Sequence, residues 1–248
     1  MNRVVVITGA SRGIGAATAR LAAARGWDVA VNYRLDQAAA EAVASNVRAA
    51  GRRAVVVQGD TAIEADVVRL FETTERELGR PAALVNNAGI VGHGGPVAEM
   101  AAADIARVMA VNVTGCFLAA REAVRRMSTR RGGRGGVIVN VSSIASRLGS
   151  PGEFVHYAAS KGAIDTFTIG LAREVAGEGI RVNAVRPGMI DTDIHDIPGL
   201  DDRLARIIPT VPMRRIGTAE DVANAILWLM SDEASYVTGA HIEIGGGR

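Results

Sequence analysis

Short apolar runs alternate along this chain with longer alanine-rich stretches of helical period, the pattern of repeated β-α units around a parallel sheet. Strands are expected near Val4 to Thr8, Val29 to Asn32, Ala54 to Gln58, Ala83 to Asn86, Val137 to Val141, Arg181 to Val185 and His241 to Ile244. Helices are expected near Ile14 to Arg25, Gln37 to Ala50, Glu64 to Leu78, Ala102 to Met127, Tyr157 to Ala176 and Ala219 to Met230. The strands show little period-2 alternation, as expected when helices cover both faces of a sheet. Two segments break the rhythm. Ser128 to Gly136 is basic and glycine-rich but has no interleaved aromatic residue to stack on bases, and reads as a solvated helix-to-strand loop. Asp191 to Met213 holds Pro198, Pro209 and Pro212 just after a strand end, where an α/β protein places a lid over its substrate.

At 248 residues, with 48% hydrophobic and 22% charged residues, the chain suits one domain with one core. No apolar run is long enough for a membrane span, and the expectation is a cytoplasmic protein without a secretion signal. A single cysteine, Cys116, excludes an internal disulfide. Lys+Arg 28 against Asp+Glu 26 leaves a net charge of +2, too balanced for a nucleic-acid partner. His93, His156, His195 and His241 show no spacing suited to a metal, and no Gly-x-Ser-x-Gly elbow is present, so hydrolase chemistry lacks support.

Thr8 to Gly15 reads TGASRGIG between the first strand and the first helix. Glycines there permit a tight turn and close approach of backbone to a pyrophosphate, which the helix N-terminus attracts. The spacing of Gly9, Gly13 and Gly15 differs from the commoner Gly-x-Gly-x-x-Gly, and a plain strand-to-helix turn also uses glycine. At the end of the second strand stand Asn32, Tyr33 and Arg34, with Arg12 in the glycine loop; the nearest acid, Asp36, comes later. An acid at that strand end favours a free ribose 2′-OH and an arginine favours a 2′-phosphate, so NADP is expected, with NAD the other possibility.

Tyr157 and Lys161 are four apart in a helical segment, so they share one face. A nearby ammonium favours the phenolate and turns a poor acid-base group into a usable one. A compact ammonium serves a phenol and ribose hydroxyls together in a way a planar guanidinium does not. Lys161 is the only lysine in the sequence; every other basic residue counted is arginine. Ser142 and Ser143 follow the fifth strand at the carboxyl edge of the sheet, placed to hydrogen-bond a substrate carbonyl or to close their own turn. Asn112 sits within a helix, where asparagine marks a kink, a water site or a plain surface position.

In this order TGASRGIG, NNAG at Asn86 to Gly89, YAASK at Tyr157 to Lys161 and RPGMIDT at Arg186 to Thr192 resemble the motifs of the short-chain dehydrogenases/reductases, and the resemblance covers nearly the whole chain. It implies a single-domain Rossmann fold, a doubly wound seven-stranded parallel sheet, and a homotetramer. It implies catalytic roles for Asn112, Ser143, Tyr157 and Lys161, with Ser142 the fallback for the serine. Cofactor contacts are implied for Gly9, Ser11, Arg12, Gly13, Ile14 and Gly15, for Asn32, Tyr33 and Arg34, and for Asp60 and Thr61. They are implied as well for Asn86, Asn87, Ala88 and Gly89, for Pro187, Gly188, Ile190 and Thr192, and for Tyr157 and Lys161. Ser143 and Tyr157 are 14 apart, a residue or so more than in many members, with Pro151 and Gly152 between them.

The resemblance extends to 3-oxoacyl-carrier-protein reductases and to glucose 1-dehydrogenases, so a carbonyl reductase and a sugar or polyol dehydrogenase both stand as expectations. A non-enzymatic redox sensor is the third, against which the full catalytic set argues. A substrate pocket lined by Ser143, Ile144, Leu148, Phe154, Tyr157, His93, Gly188 and the 191–213 lid is expected to be apolar, with few charges and a modest uncharged substrate. Phe117, Phe167 and Trp228 are expected in the core or at subunit contacts.

Overall fold

The protein is described by a computed structural model covering residues 3–191 and 205–248. Seven strands form one parallel sheet: β1 (Arg3–Ile7), β2 (Trp27–Tyr33), β3 (Ala54–Gln58), β4 (Ala83–Asn86), β5 (Gly136–Val141), β6 (Ile180–Pro187) and β7 (His241–Ile244). Their spatial order is β3-β2-β1-β4-β5-β6-β7, so the winding reverses between β1 and β4. That reversal opens a crevice at the carboxyl ends of the strands, where doubly wound sheets bind ligands. The expected fold is therefore the observed one.

Strands β1 to β6 each contribute to two cores because consecutive side chains point to opposite faces. On β1, Val5 and Ile7 enter one core while Val4 and Val6 enter the other. The first core is closed by α1 (Gly13–Ala24), α2 (Gln37–Ala49) and α8 (Ala219–Met230); the second by α3 (Glu64–Glu77), α5 (Gly115–Met127) and α7 (Val155–Val175), which the short α6 (Ala145–Leu148) precedes. Alanine on the inner faces of α1 and α5 lets these helices lie close to the sheet.

The long helix expected over Ala102 to Met127 is broken. It runs as α4 (Ala102–Met109), a π-turn at Ala110–Thr114, and α5. Gly115 N–H donates five residues back, to Ala110 O, which marks the widened turn. By length and composition this run is also apolar enough to cross a membrane, at 26 residues and mean hydropathy 1.4. Here Ala119, Ala120, Ala123 and Met127 are buried in the second core, while Ile105, Met109 and Phe117 on other faces are exposed. Phe117 and Trp228 are not core residues: they are 47% and 37% exposed, and Phe117 stacks on Phe167 with ring centroids 3.8 Å apart.

Candidate active site

A cavity of 740 Å³ runs along the carboxyl edge of the sheet, across the β1/β4 reversal. At one end it is lined by Arg12, Tyr33, Arg34 and Asp60; at the other by Ser143, Tyr157 and Lys161.

The glycine turn is locked from behind. Thr8 Oγ1 accepts from Asn87 N and Ala88 N, each at 3.0 Å, and Asn87 Nδ2 donates to Thr8 O and Gly9 O, each at 2.9 Å. Gly9 has φ +60°, and a Cβ there would lie 2.9 Å from Ala88 Cα. Gly15 faces inward, where a Cβ would lie 2.5 Å from Asn87 Nδ2 and from Gly9 O. Gly15 therefore shapes the turn and does not line the cavity. Asn32 lines the cavity and also ties the turn together: its Oδ1 accepts from Gly9 N at 3.1 Å and its Nδ2 donates to Gly59 O at 3.1 Å. Asn86 is spent within the fold, donating to Asn140 Oδ1 at 3.0 Å. The α1 N-terminus has no side-chain cap, unlike α2, capped by Asp36, and α8, capped by Thr218. Its orphan N–H groups and positive dipole end suit an anion, and the loop leaves room for backbone to approach one. The turn thus fits a dinucleotide pyrophosphate.

At the far end, Asp60 Oδ2 accepts from Arg107 Nη2 at 2.6 Å and Arg34 Nη1 lies 4.0 Å away. Burial raises the Asp60 pKa, but the Ala62 N–H, Arg107 and Arg34 outweigh it and hold the carboxyl below its ordinary value. Arg107 was missed by sequence reasoning. Its partner is 47 residues away, with no local pattern linking them.

Tyr157 and Lys161 share one face of α7, as expected, and the Lys161 Nζ lies 5.6 Å from the Tyr157 ring centroid. Lys161 is 5% exposed, and Nζ donates to Val141 O at 2.7 Å. Burial pulls its pKa down to about 8, opposed by the negative charge of Asp165. The Cys116 thiol is itself pushed up to about 12 by burial. Ser142 Oγ donates to Lys161 O at 3.2 Å, whereas Ser143 Oγ accepts from Ala145 N at 3.1 Å and makes only a long contact, 3.5 Å, to Pro187 O. Ser143, the expected serine, is thus the less committed donor of the two.

Asn112 lies in the π-turn and is buried. Its Oδ1 accepts from Ile90 N and its Nδ2 donates to Ile90 O, each at 2.9 Å; Nδ2 also reaches Ser160 Oγ at 3.0 Å. Ser160 Oγ in turn donates to Tyr157 O at 2.6 Å, which joins Asn112 to the Tyr157 backbone. A Cβ on Gly89 would lie 3.4 Å from both Asn112 Oδ1 and Lys161 Nζ, so glycine keeps that corner open.

Ser11, Arg12, Gly13, Ile14, Tyr33, Thr61, Asn87, Ala88, Gly89, Pro187, Gly188 and Ile190 all line the cavity, while Thr192 lies outside the described residues. Ile144, Leu148 and Phe154 form the expected apolar wall, but the low-charge expectation fails. Glu153, Arg206 and Arg248 line the same end, with Arg206 Nη2 3.7 Å from Glu153 Oε1. Arg206 belongs to the 191–213 segment expected to line the pocket, of which residues 192–204 lie outside the described residues, and Arg248 comes from a segment far from Tyr157 in sequence. His93 does not line the cavity either: Asp104 holds its backbone N–H at 2.9 Å and its Nδ1 at 3.1 Å, and its ring points outward. Among the described residues no group of His, Cys, Asp and Glu suits a metal.

The family model described as enoyl-(acyl carrier protein) reductase matches residues 9–248. The uncharacterized oxidoreductase YgfF of Escherichia coli is 54% identical over 99% of both chains. A 3-oxoacyl-[acyl-carrier-protein] reductase of Synechocystis is 38% identical, over 99% of this chain and 96% of its own. Glucose 1-dehydrogenase 2 of Bacillus subtilis is 36% identical over 99% of this chain and 94% of its own. Among solved structures, a Serratia marcescens short-chain dehydrogenase/reductase superposes with a TM-score of 0.90 at 34% identity, covering 99% of this chain and 97% of the other. With the parallel sheet, the glycine turn and the tyrosine-lysine pair already described, these likenesses identify the chain as an oxidoreductase of the short-chain dehydrogenase/reductase family.

Proposed function

We propose that this protein is an NADP(H)-dependent carbonyl reductase of 3-oxoacyl-reductase type, interconverting a ketone or aldehyde and an alcohol. The observation that carries this reading is the convergence of Ser143, Tyr157 and buried Lys161 on one end of the cavity whose other end holds Arg12 and Arg34. The uncapped α1 N-terminus, Ser11 to Ile14 and Asn87 to Gly89 would hold the dinucleotide. When bound, that group supplies or accepts the hydride.

The protein's own part is proton handling and orientation. Ser143 Oγ donates a hydrogen bond to the substrate oxygen, where negative charge develops. Tyr157 Oη gives its proton to that oxygen during reduction and takes one from the alcohol during oxidation. The Lys161 ammonium favours the phenolate after transfer. Asn112, pinned by Ile90 and Ser160, fixes the π-turn beside Lys161 and Gly89 and so shapes the route by which a proton returns. The preference for the phosphorylated cofactor rests on chemistry at the end of β2, where Arg34 stands while the nearby acids Asp36 and Asp60 are engaged by the Ala39 N–H and by Arg107.

The test is a panel of ketones and acyl thioesters with NADPH and NADH, beside sugars and polyols with the oxidised cofactors. The expected result is reduction of at least one ketone or thioester with kcat/KM higher for NADPH. Turnover of sugars alone would favour the second reading, a glucose-dehydrogenase-like enzyme, which the Bacillus subtilis relative keeps in view. Binding of NADPH with no turnover on any of them would favour a redox sensor.

We also propose a cytoplasmic homotetramer. Ile105, Met109, Phe117 and Ile169 are all more than a third exposed on α4, α5 and α7, an apolar face that a second copy of the chain would cover. Light scattering is expected to give four chains per particle, and Phe117→Asp to give smaller particles. A wild-type monomer at micromolar concentration would overturn this.

A further inference from the structure

One carboxylate, Asp60, stands between two arginines from elements remote in sequence. Arg107 on α4 donates to Oδ2 at 2.6 Å, and Arg34, just past β2, has Nη1 4.0 Å from the same atom. Oδ1 is taken by the Ala62 N–H. The neighbouring acids have other partners: Asp66 pairs with Arg69 at 2.8 Å and accepts from Asp60 N, and Asp36 caps α2.

The two arginines are not equivalent. A contact of 2.6 Å is a charge-assisted hydrogen bond, whereas a half-exposed guanidinium at 4.0 Å gains little from its partner. Asp60, Arg107 and Arg34 together carry one net positive charge beside the cavity. Without Arg107 the remaining carboxylate and guanidinium cancel, and Arg34 is the guanidinium left beside Asp60 Oδ2.

We infer that Arg107 determines cofactor specificity: by occupying Asp60 it leaves Arg34 available to an anion on the adenosine ribose, the 2′-phosphate. The inference rests on the NADP reading above and assigns its strength to a residue outside the glycine turn and the end of β2.

The probes are adenosine 2′,5′-bisphosphate and AMP, titrated calorimetrically into the full chain, so that no substrate is needed. The quantity read is the ratio of the two affinities, the gain from the 2′-phosphate. Arg107→Gln is expected to lower that gain by about fivefold, the effect of one partly exposed charge pair. Arg107→Lys, which keeps the charge, should restore most of it and guards against a folding defect in the glutamine variant. In an Arg34→Met background, Arg107→Gln should change the ratio by less than about twofold, because the two residues then no longer compete for Asp60. A glutamine variant that weakens both ligands equally, or that keeps its full effect without Arg34, overturns the inference. A wild-type protein with no gain from the 2′-phosphate overturns the NADP reading itself, a result distinct from a gain that Arg107→Gln leaves intact.

Discussion

Replacing Tyr157 with Phe is expected to lower kcat for a reducible ketone by about a thousandfold, with KM within about threefold of wild type. The substitution removes one hydroxyl and keeps the ring, and with it the 5.6 Å approach of Lys161 Nζ. Folding should therefore be undisturbed, and circular dichroism and the melting temperature serve as the control. The effect belongs to kcat because proton transfer to the carbonyl oxygen is realised only in the transition state. A variant that keeps more than about a tenth of wild-type kcat would remove Tyr157 from the role of proton donor.

Lys161→Met should act in opposite directions on stability and turnover. A buried ammonium whose pKa is pulled from 10.5 to about 8 disfavours folding wherever it is charged. At about 1.4 kcal/mol per pKa unit the ceiling on that penalty is roughly 3 kcal/mol. Methionine removes the charge but leaves Val141 O without its 2.7 Å partner, which offsets about 1 kcal/mol. Urea unfolding at pH 7 should therefore show a gain of about 1–2 kcal/mol.

The sign of the pH dependence follows from linkage. Between about pH 8 and 10.5 the unfolded state holds the Lys161 proton more tightly, so wild-type stability rises with pH and the advantage of methionine shrinks. Turnover should fall about a hundredfold in the variant, because the cation beside the phenol is gone. In the wild type, ketone reduction that depends on the ammonium should decline as pH rises through about 8. A methionine variant that is less stable at pH 7 and still active would contradict both halves of this expectation.

Legibility differed between strands, turns and the cavity wall. β3, β4 and β7 begin and end where their apolar runs do; β4 is buried on both faces and written almost entirely in Ala, Leu and Val, whereas β3 and β7 are part-buried edge strands bounded by polar residues. The glycine turn and the Tyr157–Lys161 spacing were equally readable, since each is local in sequence. The π-turn at Ala110–Thr114 was visible only as an asparagine out of place, and its geometry depends on Ile90 and Ser160, reached across the fold.

Arg107 and Asp60, or Arg206 and Glu153, carry no local signature, because an ion pair between distant elements exists only once the sheet has brought them together. The same reason hid the charges of the substrate end. Asn86 and Gly15 were read at the correct place but face the fold's own backbone and side chains, where they set the shape of the turn and of the neighbouring strand ends, while Asn32 lines the cavity and bonds the turn as well.

The central claim, a hydride-transferring carbonyl reductase, is tested most directly by isotope transfer. NADPH deuterated at the reactive nicotinamide carbon is incubated with the best ketone of the panel, and the alcohol is analysed by mass spectrometry and NMR. One deuterium on the carbinol carbon, on a single stereochemical face, is the expected result. An alcohol without deuterium at that carbon, or no alcohol from any ketone or thioester, would contradict it.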